Sequence, residues 1–349
     1  MRLLLITDTH CGCRNCHKLI NEYFIKFYNE ILFPYIEDNK IDAIVHLGDV
    51  FDSRQFINIS ILNQWNSQIF TRLNNYNIPM YIIVGNHDCY YNKCNYPNSV
   101  VELLSKYKNF HIIYDKPEVL DFDAKSLLVP WSYNDELFSK IIEESDATYC
   151  FGHFDIIGFD VIPGYTNTTK GFNIPLFKKF KQVFSGHYHN SWAKNNIKYL
   201  GTPYQITWND YNNEKGFYLY DTKTNELEFN KNPFTLFEQI CYNNNNIELP
   251  DLTNKFVKVI VQNNDNKILY NKFLADLGSF NTIENTIIFK NVLQNISYDA
   301  SFDEISSTKD LINLYIDNNV SKINELYDNV SEVKDYILSL YNKANDIEM

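Results

Sequence analysis

An α/β fold is what this sequence predicts, and three observations carry the prediction. Short runs of Val, Ile and Leu alternate with longer stretches whose apolar residues recur every three or four positions, the signatures of strand and helix in turn. Their order is strand, helix, strand, helix, strand, which implies parallel strands joined by right-handed crossovers. Repeatedly a strand-like run stops and Asp, Asn or His follows at once, at the strand ends where open α/β sheets bind their ligands.

Arg2 to Thr7 reads as the first strand and delivers Asp8-Thr9-His10. Leu19, Ile20, Tyr23, Phe24, Phe27, Tyr28, Ile31, Leu32 and Tyr35 then recur at helical spacing. Ala43 to Leu47 is a second strand, ending at Gly48-Asp49-Val50-Phe51-Asp52. A helix burying Leu62, Trp65, Ile69, Phe70 and Leu73 leads to the strand Met80 to Val84, which stops at Gly85-Asn86-His87-Asp88. After a less regular stretch, Thr148 to Phe151 runs into Gly152-His153, and Val183 to Ser185 into Gly186-His187-Tyr188-His189. Lys198 to Gly201 and the alternating run Gly216 to Asp221 read as closing strands.

The texture changes near Phe229. Asn243 to Asn246, bordered by Pro250, reads as a linker or loop. Phe256 to Gln262 and Ile283 to Phe289 are two further strands, so a small α+β domain is expected there. Ser307-Thr308-Lys309-Asp310 has the form of a capping box opening a helix through Leu311, Leu314 and Tyr315. Val320, Ile323, Leu326, Tyr327, Val330, Val333, Ile337, Leu340 and Tyr341 continue an apolar stripe near period 3.5, a seam suited to another helix. The domains expected are therefore 1–228, 229–302 and 303–349.

Composition narrows the function. A hydrophobic content of 45% indicates a folded globular chain. No apolar run approaches the roughly 20 residues that span a bilayer, and Leu3 to Ile6 is too short for a secretory core, so the chain is expected in the cytoplasm. A net charge of −12 argues against a generally basic nucleic-acid binder, although bound cations can recruit phosphate to an acidic body. The seven cysteines form no disulfide framework. Cys11, Cys13 and Cys16 with His17 make only an incomplete zinc set, because structural zinc usually takes four spaced ligands.

Collected, the strand-end residues are Asp8, His10, Asp49, Asn86, His87, His153, His187 and His189. Carboxylate and carbonyl oxygens suit hard divalent ions, and imidazole adds affinity for manganese, iron or zinc. An Asp able to bridge two ions, flanked by His and Asn, describes a binuclear site. Two ions about 3.5–4 Å apart could stabilise both the attacking and the leaving oxygen of a phosphoryl displacement. Taken singly, a buried His is ordinary structure, and His17, His46 and His111 are assigned to it; a lone Gly-Asp or Gly-Asn is an ordinary turn. The conjunction D-x-H, G-D-x-x-D, G-N-H-D, G-H and G-H-x-H, each after a strand, is what those readings leave unexplained.

Those five motifs resemble the calcineurin-like metallophosphoesterases. Within them the chain looks most like the SbcD-type nucleases and their phage branch, on Gly48 to Asp52, Ile83 to Asp88, Leu103-Leu104-Ser105-Lys106-Tyr107, Val129-Pro130-Trp131 and Gly201-Thr202-Pro203-Tyr204. The resemblance covers the first 220 or so residues strongly and the rest in layout only. It implies a sandwich of two mixed sheets flanked by helices, a small α+β cap and a C-terminal helical element that binds a partner. It places Asp8, His10, Asp49 and His189 around one ion, and Asn86, His153 and His187 with a bridging Asp49 around a second. The ions would be manganese, with magnesium the alternative, and a water they activate would be the nucleophile. His87 matches a histidine that is not a ligand and that serves the leaving oxygen, a task suited to imidazole at neutral pH. Asp88 would orient His87 or cap the following turn. Some members carry His where this chain has Asp52, so cleavage polarity is not assigned from that position.

The partners implied are DNA and an SbcC-type coiled-coil ATPase, in a heterotetramer built on a homodimer of this chain, with no membrane. No phosphate-binding G-x-x-x-x-G-K-[ST] loop is present, so the ATPase must lie on another chain. The expected function is thus the nuclease subunit of an ATP-regulated DNA repair and recombination complex, in the host cytoplasm if phage-encoded. Two alternatives stay open: a metallophosphoesterase of non-DNA phosphoesters, and a non-catalytic scaffold.

Overall fold

The computed structural model describes residues 1–162, 165–289, 334, 336 and 337. The main strands are β1 (Arg2–Ile6), β2 (Ala43–His46), β3 (Met80–Ile83), β4 (Phe110–Ile113), β5 (Glu118–Asp121), β6 (Lys125–Val129), β7 (Tyr149–His153) and β8 (Gln182–Gly186). They continue as β9 (Trp192–Lys194), β10 (Ile197–Tyr199), β11 (Gly216–Asp221), β12 (Glu226–Lys231), β13 (Phe237–Asn243), β14 (Phe256–Asn263) and β15 (Glu284–Phe289).

Two six-stranded sheets form the body, in the orders β12-β11-β1-β2-β3-β4 and β9-β10-β8-β7-β6-β5. Strands β1 to β4 are parallel, with Leu4 opposite Ile44 and Ile44 opposite Met80. Strands β6, β7, β8 and β10 are parallel as well. Antiparallel strands close one edge of the first sheet and both edges of the second, which makes each sheet mixed. The expected two-sheet α/β sandwich is therefore what forms.

Strand alternation explains the layering. Leu3, Leu5, Val45 and Ile83 pack between the sheets with Phe151, Phe184 and Tyr220. Leu4, Ile6, Ile44 and Ile82 turn to the other face and meet Phe24, Phe27, Trp65 and Phe70 from the helical segments. On the far side Val129, Cys150 and Val183 pack on Phe138, Ile142 and Phe177. Burial on both faces is why these strands read as unbroken apolar runs.

The first predicted helix is Lys18–Phe27, a wide turn at Tyr28–Leu32, then Phe33–Asp38. The second is Ile59–Trp65, a similar wide turn and Thr71–Asn75, opened by Asn58, whose side chain accepts from the amides of Ser60 and Ile61. The less regular stretch contains the helices Ser99–Leu104 and Asp135–Glu144 and strands β4 to β6. These pieces are four to ten residues long, too short for a periodicity to stand out in the sequence.

Strands β13, β14 and β15 form a third, all-parallel sheet, with the helix Lys267–Gly278 crossing from β14 to β15. Phe237 and Phe256 at its near end join the core that also holds Phe24 and Tyr204. β12 runs through residues 228 and 229 as an edge of the first sheet, and Met1–Val292 form one compact unit. The expected element 303–349, its capping box included, lies outside the described residues apart from Lys334, Tyr336 and Ile337, which are helical. Among the described residues, no helix is long and apolar enough to cross a membrane.

Candidate metal centre

The parallel strands of both sheets carry their polar loops to one rim. The loops after β1 and β2 are joined by backbone bonds: the amides of Asp8, His10 and Cys11 donate to the carbonyls of Gly48, Asp49 and Val50 at 2.9, 3.1 and 2.8 Å. The loop after β3 is drawn against them by Asp88, whose Oδ1 accepts from Phe51 N at 2.9 Å and whose Oδ2 accepts from Gly85 N at 2.9 Å. Two glycines make this approach feasible. Gly48 has φ +101°, and a Cβ there would lie 2.4 Å from His153 Nδ1; a Cβ at Gly85 would lie 2.1 Å from Asp49 Oδ1. Asp8, His10, Asp49 and His187 also hold positive φ, at 50°, 43°, 54° and 92°, so backbone strain gathers at this rim.

The side chains converge. His10 Nε2 lies 3.1 Å from His189 Nε2 and 3.9 Å from Asp49 Oδ2. His153 Nε2 lies 3.3 Å from Asp49 Oδ2 and 3.0 Å from Asn86 Oδ1, and His187 Nδ1 lies 3.0 Å from the same amide oxygen. Asp8, His10 and His189 form one group able to hold an ion; Asp49, His153 and His187 form another. His10, Asp52 and His87 form a third group whose ligand atoms also lie close enough together to hold an ion. All eight expected strand-end residues thus meet at one place, with Asp52 and Asp88 beside them.

Neighbours fix which nitrogens are free. A carbonyl can only accept, so His153 Nδ1 donates to Leu47 O at 2.7 Å and His87 Nδ1 donates to Asp52 O at 2.7 Å. Once His153 gives up its Nε2 proton, that nitrogen, Asn86 Oδ1 and Asp49 Oδ2 are three acceptors facing one another. His10 Nδ1 lies 3.2 Å from Asp52 Oδ1, a carboxylate–imidazole arrangement that turns Nε2 inward. His187 N donates to both oxygens of Asp8 at 3.1 Å.

The positive charge beside the two aspartates is titratable imidazole rather than Lys or Arg. Asp8 and Asp49 are 0% and 2% exposed, and among the described residues neither has a Lys or Arg ion pair. Burial raises the pKa of Asp8, whereas at Asp49 burial is outweighed by His153 beside it, which holds the carboxyl well below its usual range. Burial disfavours charge on His153 and His10, yet the carboxylates at hand lift both to about 9, Asp49 leading at His153 and Asp52 at His10. His189, buried and next to His10, drops to about 3, and His187, buried and next to His153, falls well below its usual value. Burial pushes Asp88 up to about 7. Two buried carboxylates without a Lys or Arg partner, among imidazoles that offer lone pairs once they lose their protons, are a donor set that divalent cations fit.

The other histidines and the cysteines lie apart from this set. His46 is buried, within 3.0 Å of Thr9 Oγ1, and burial lowers it to about 3. His111 pairs with Glu118 on the surface at 2.8 Å. Cys11 and Cys13 are buried, and burial keeps their thiols protonated. Among the described residues, no cysteine belongs to a group placed to hold an ion.

Sequence reasoning missed three contributors. Trp131 lies with its ring centroid 5.1 Å from that of His187, and Tyr204 OH donates to Thr9 O at 2.5 Å. The third is a buried pair, Asp210 and Lys215, behind His189. Trp131 and Tyr204 sit in quoted motifs but carry no metal-binding chemistry of their own, and a lone Lys before a strand carries no signal at all.

A sandwich of two mixed sheets whose strand ends gather carboxylates, an amide and imidazoles is the arrangement of a metal-dependent phosphoesterase. Comparison with known proteins agrees: residues 1–191 match the calcineurin-like phosphoesterase family, and the chain belongs to that family. It is 31% identical to exonuclease subunit 1 of Enterobacteria phage T4 over 90% of this chain and 92% of that protein. It is 23% identical to the DNA double-strand break repair protein Mre11 of Methanocaldococcus jannaschii, over 98% of this chain and 94% of that protein. To Mre11 of Methanosarcina mazei it is 37% identical over 89 residues, 25% of this chain and 14% of that protein.

Proposed function

We propose that this chain is the nuclease subunit of an ATP-regulated DNA repair and recombination complex, hydrolysing DNA phosphodiesters with two divalent cations, manganese first and magnesium second. The observation that carries the reading is the convergence of seven donor side chains with a further imidazole, His87, at the meeting of two sheets. The names of the phage and archaeal relatives support DNA as the substrate.

Asp8, His10, Asp49 and His189 would hold one cation; Asn86, His153, His187 and the shared Asp49 would hold the other. Bound there, the cations supply Lewis acidity to phosphoryl oxygens and acidify water. The polypeptide's part is to hold these donors rigidly, through Asp52 on His10, Leu47 O on His153 and the Asp8 carboxylate on His187 N. His87, oriented by Asp52 O at 2.7 Å on Nδ1, presents Nε2 outward; as an imidazolium it would pass the Nε2 proton to the leaving oxygen and remain a neutral ring with its proton on Nδ1.

The ATPase would be a separate SbcC-type chain docking on residues 303–349, with two copies of this subunit in the complex and its work done in the cytoplasm. The deciding experiment is a manganese-dependent assay on linear duplex DNA, with and without such a partner. DNA cleavage stimulated by the partner and ATP is expected. Turnover of bis(p-nitrophenyl) phosphate with none of DNA would move the assignment to another class of phosphoester. For the docking, a pull-down with 303–349 deleted should lose the ATPase, and undiminished capture would remove that element from the proposal.

A further inference from the structure

We propose that Lys215 and Asp210 form a buried clamp on the backbone of His189, positioning its imidazole for the cation it would share with Asp8 and His10. The inference rests on the reading of the rim as a metal centre.

The geometry is complete in itself. Lys215 Nζ lies 2.5 Å from Asp210 Oδ1, donates to the carbonyl oxygen of His189 at 2.7 Å and reaches Asn190 Oδ1 at 3.4 Å. The ammonium thus makes two hydrogen bonds, to His189 O and Asn190 Oδ1, and an ion pair with Asp210 Oδ1. Both side chains are withdrawn from water, at 3% and 1% exposure. Asp210 is itself held, since its Oδ2 accepts from the amides of Ile206 and Thr207 at 2.8 Å each. Thr202 N adds a second bond to the His189 carbonyl at 3.0 Å.

His189 needs such support more than its counterparts do. His153 ends β7 and is fixed by the ladder with β8, and His187 has its amide on Asp8. His189 lies three residues past the end of β8, beyond that ladder. A buried ion pair is a poor device for stability alone, because desolvation offsets most of its attraction and an apolar pair often serves as well. It is a good device for placing a strong donor against one chosen carbonyl. Lys215 is accordingly a positioning residue, acting through His189.

The test is manganese binding by the full chain, followed by the EPR signal of free Mn²⁺, at temperatures where circular dichroism shows each protein folded. K215M should lower the melting temperature, since it strands a buried carboxylate, and should weaken one of two manganese sites about 10- to 100-fold, the usual cost of losing an outer-shell partner. The double variant D210N/K215M carries no stranded charge, so it decides the matter where K215M does not fold. It should regain most of the melting temperature while manganese binding stays weak. Binding within twofold of wild type in the folded double variant would show the pair to be structural only and would overturn the clamp. A wild-type chain that takes up no manganese would overturn the metal reading and the clamp together.

Discussion

The two sheets contribute unequally to the rim. The first supplies Asp8, His10, Asp49, Asn86 and His87, and so all the carboxylate oxygen in the candidate ligand set; the second supplies only imidazoles, His153, His187 and His189. The first rim is held together by backbone bonds among its own loops and by Asp88. The second is hung on the first, through His153 on Leu47 O and the amide of His187 on Asp8. The field shows the same division: Asp49, reaching across, raises His153 to about 9, while His187 and His189 fall. A site divided this way is complete only where the two sheets meet, so metal affinity becomes a measure of how well the sandwich is assembled.

The sharpest way to separate chemistry from assembly is His87→Ala. It should lower turnover on bis(p-nitrophenyl) phosphate and DNA by about 10²- to 10⁴-fold, the range for general acid–base groups, with manganese affinity unchanged; near-normal turnover would remove His87 from its role. Assembly itself is attacked by Phe184→Ala, which empties a fully packed position between the sheets. A loss of about 3–5 kcal/mol is expected in urea unfolding, with added manganese restoring part of it. Chelation should destabilise the wild-type protein, since ions at about 100 times their dissociation constant contribute roughly 2.7 kcal/mol; a melting temperature indifferent to EDTA would contradict the shared site. Smallest is Asp52→Asn, which removes the charge behind His10 and should weaken manganese binding by about 10- to 100-fold, read by the same titration, with little change in melting temperature.

Much of this was legible in the residues because both faces of β1, β2, β3, β7 and β8 are buried. Continuous apolar runs result, and the polar residue at each end stands out. The strand-end residues were legible for the same reason, and the structure brings all eight together. What stayed hidden has physical causes. β5 and β12 are half-exposed edge strands whose inward faces are only partly buried, so neither forms an apolar run. β13 ends at Asn243, inside a polar tract that reads as a loop. The Asp210–Lys215 pair depends on a fold-back that brings the start of β11 behind the end of β8, and no local spacing announces such a contact.

The left-handed backbone at Asp8, His10, Asp49 and His187 bears on why these side chains persist. Glycine would relieve the two histidines of up to about 1–2 kcal/mol of steric conflict each, and the two aspartates, which tolerate this backbone better, of less. A chain relieved of chemistry, keeping only the scaffold, would therefore drift toward glycine or asparagine at His10 and His187 first, since the carboxylates of Asp8 and Asp49 also hold the amides of His187 and His87. This chain retains two aspartates and two histidines at the four turns instead. In evolutionary terms the rim is a standing opposition to that drift, and a reservoir of stabilising substitutions open only at the expense of the site.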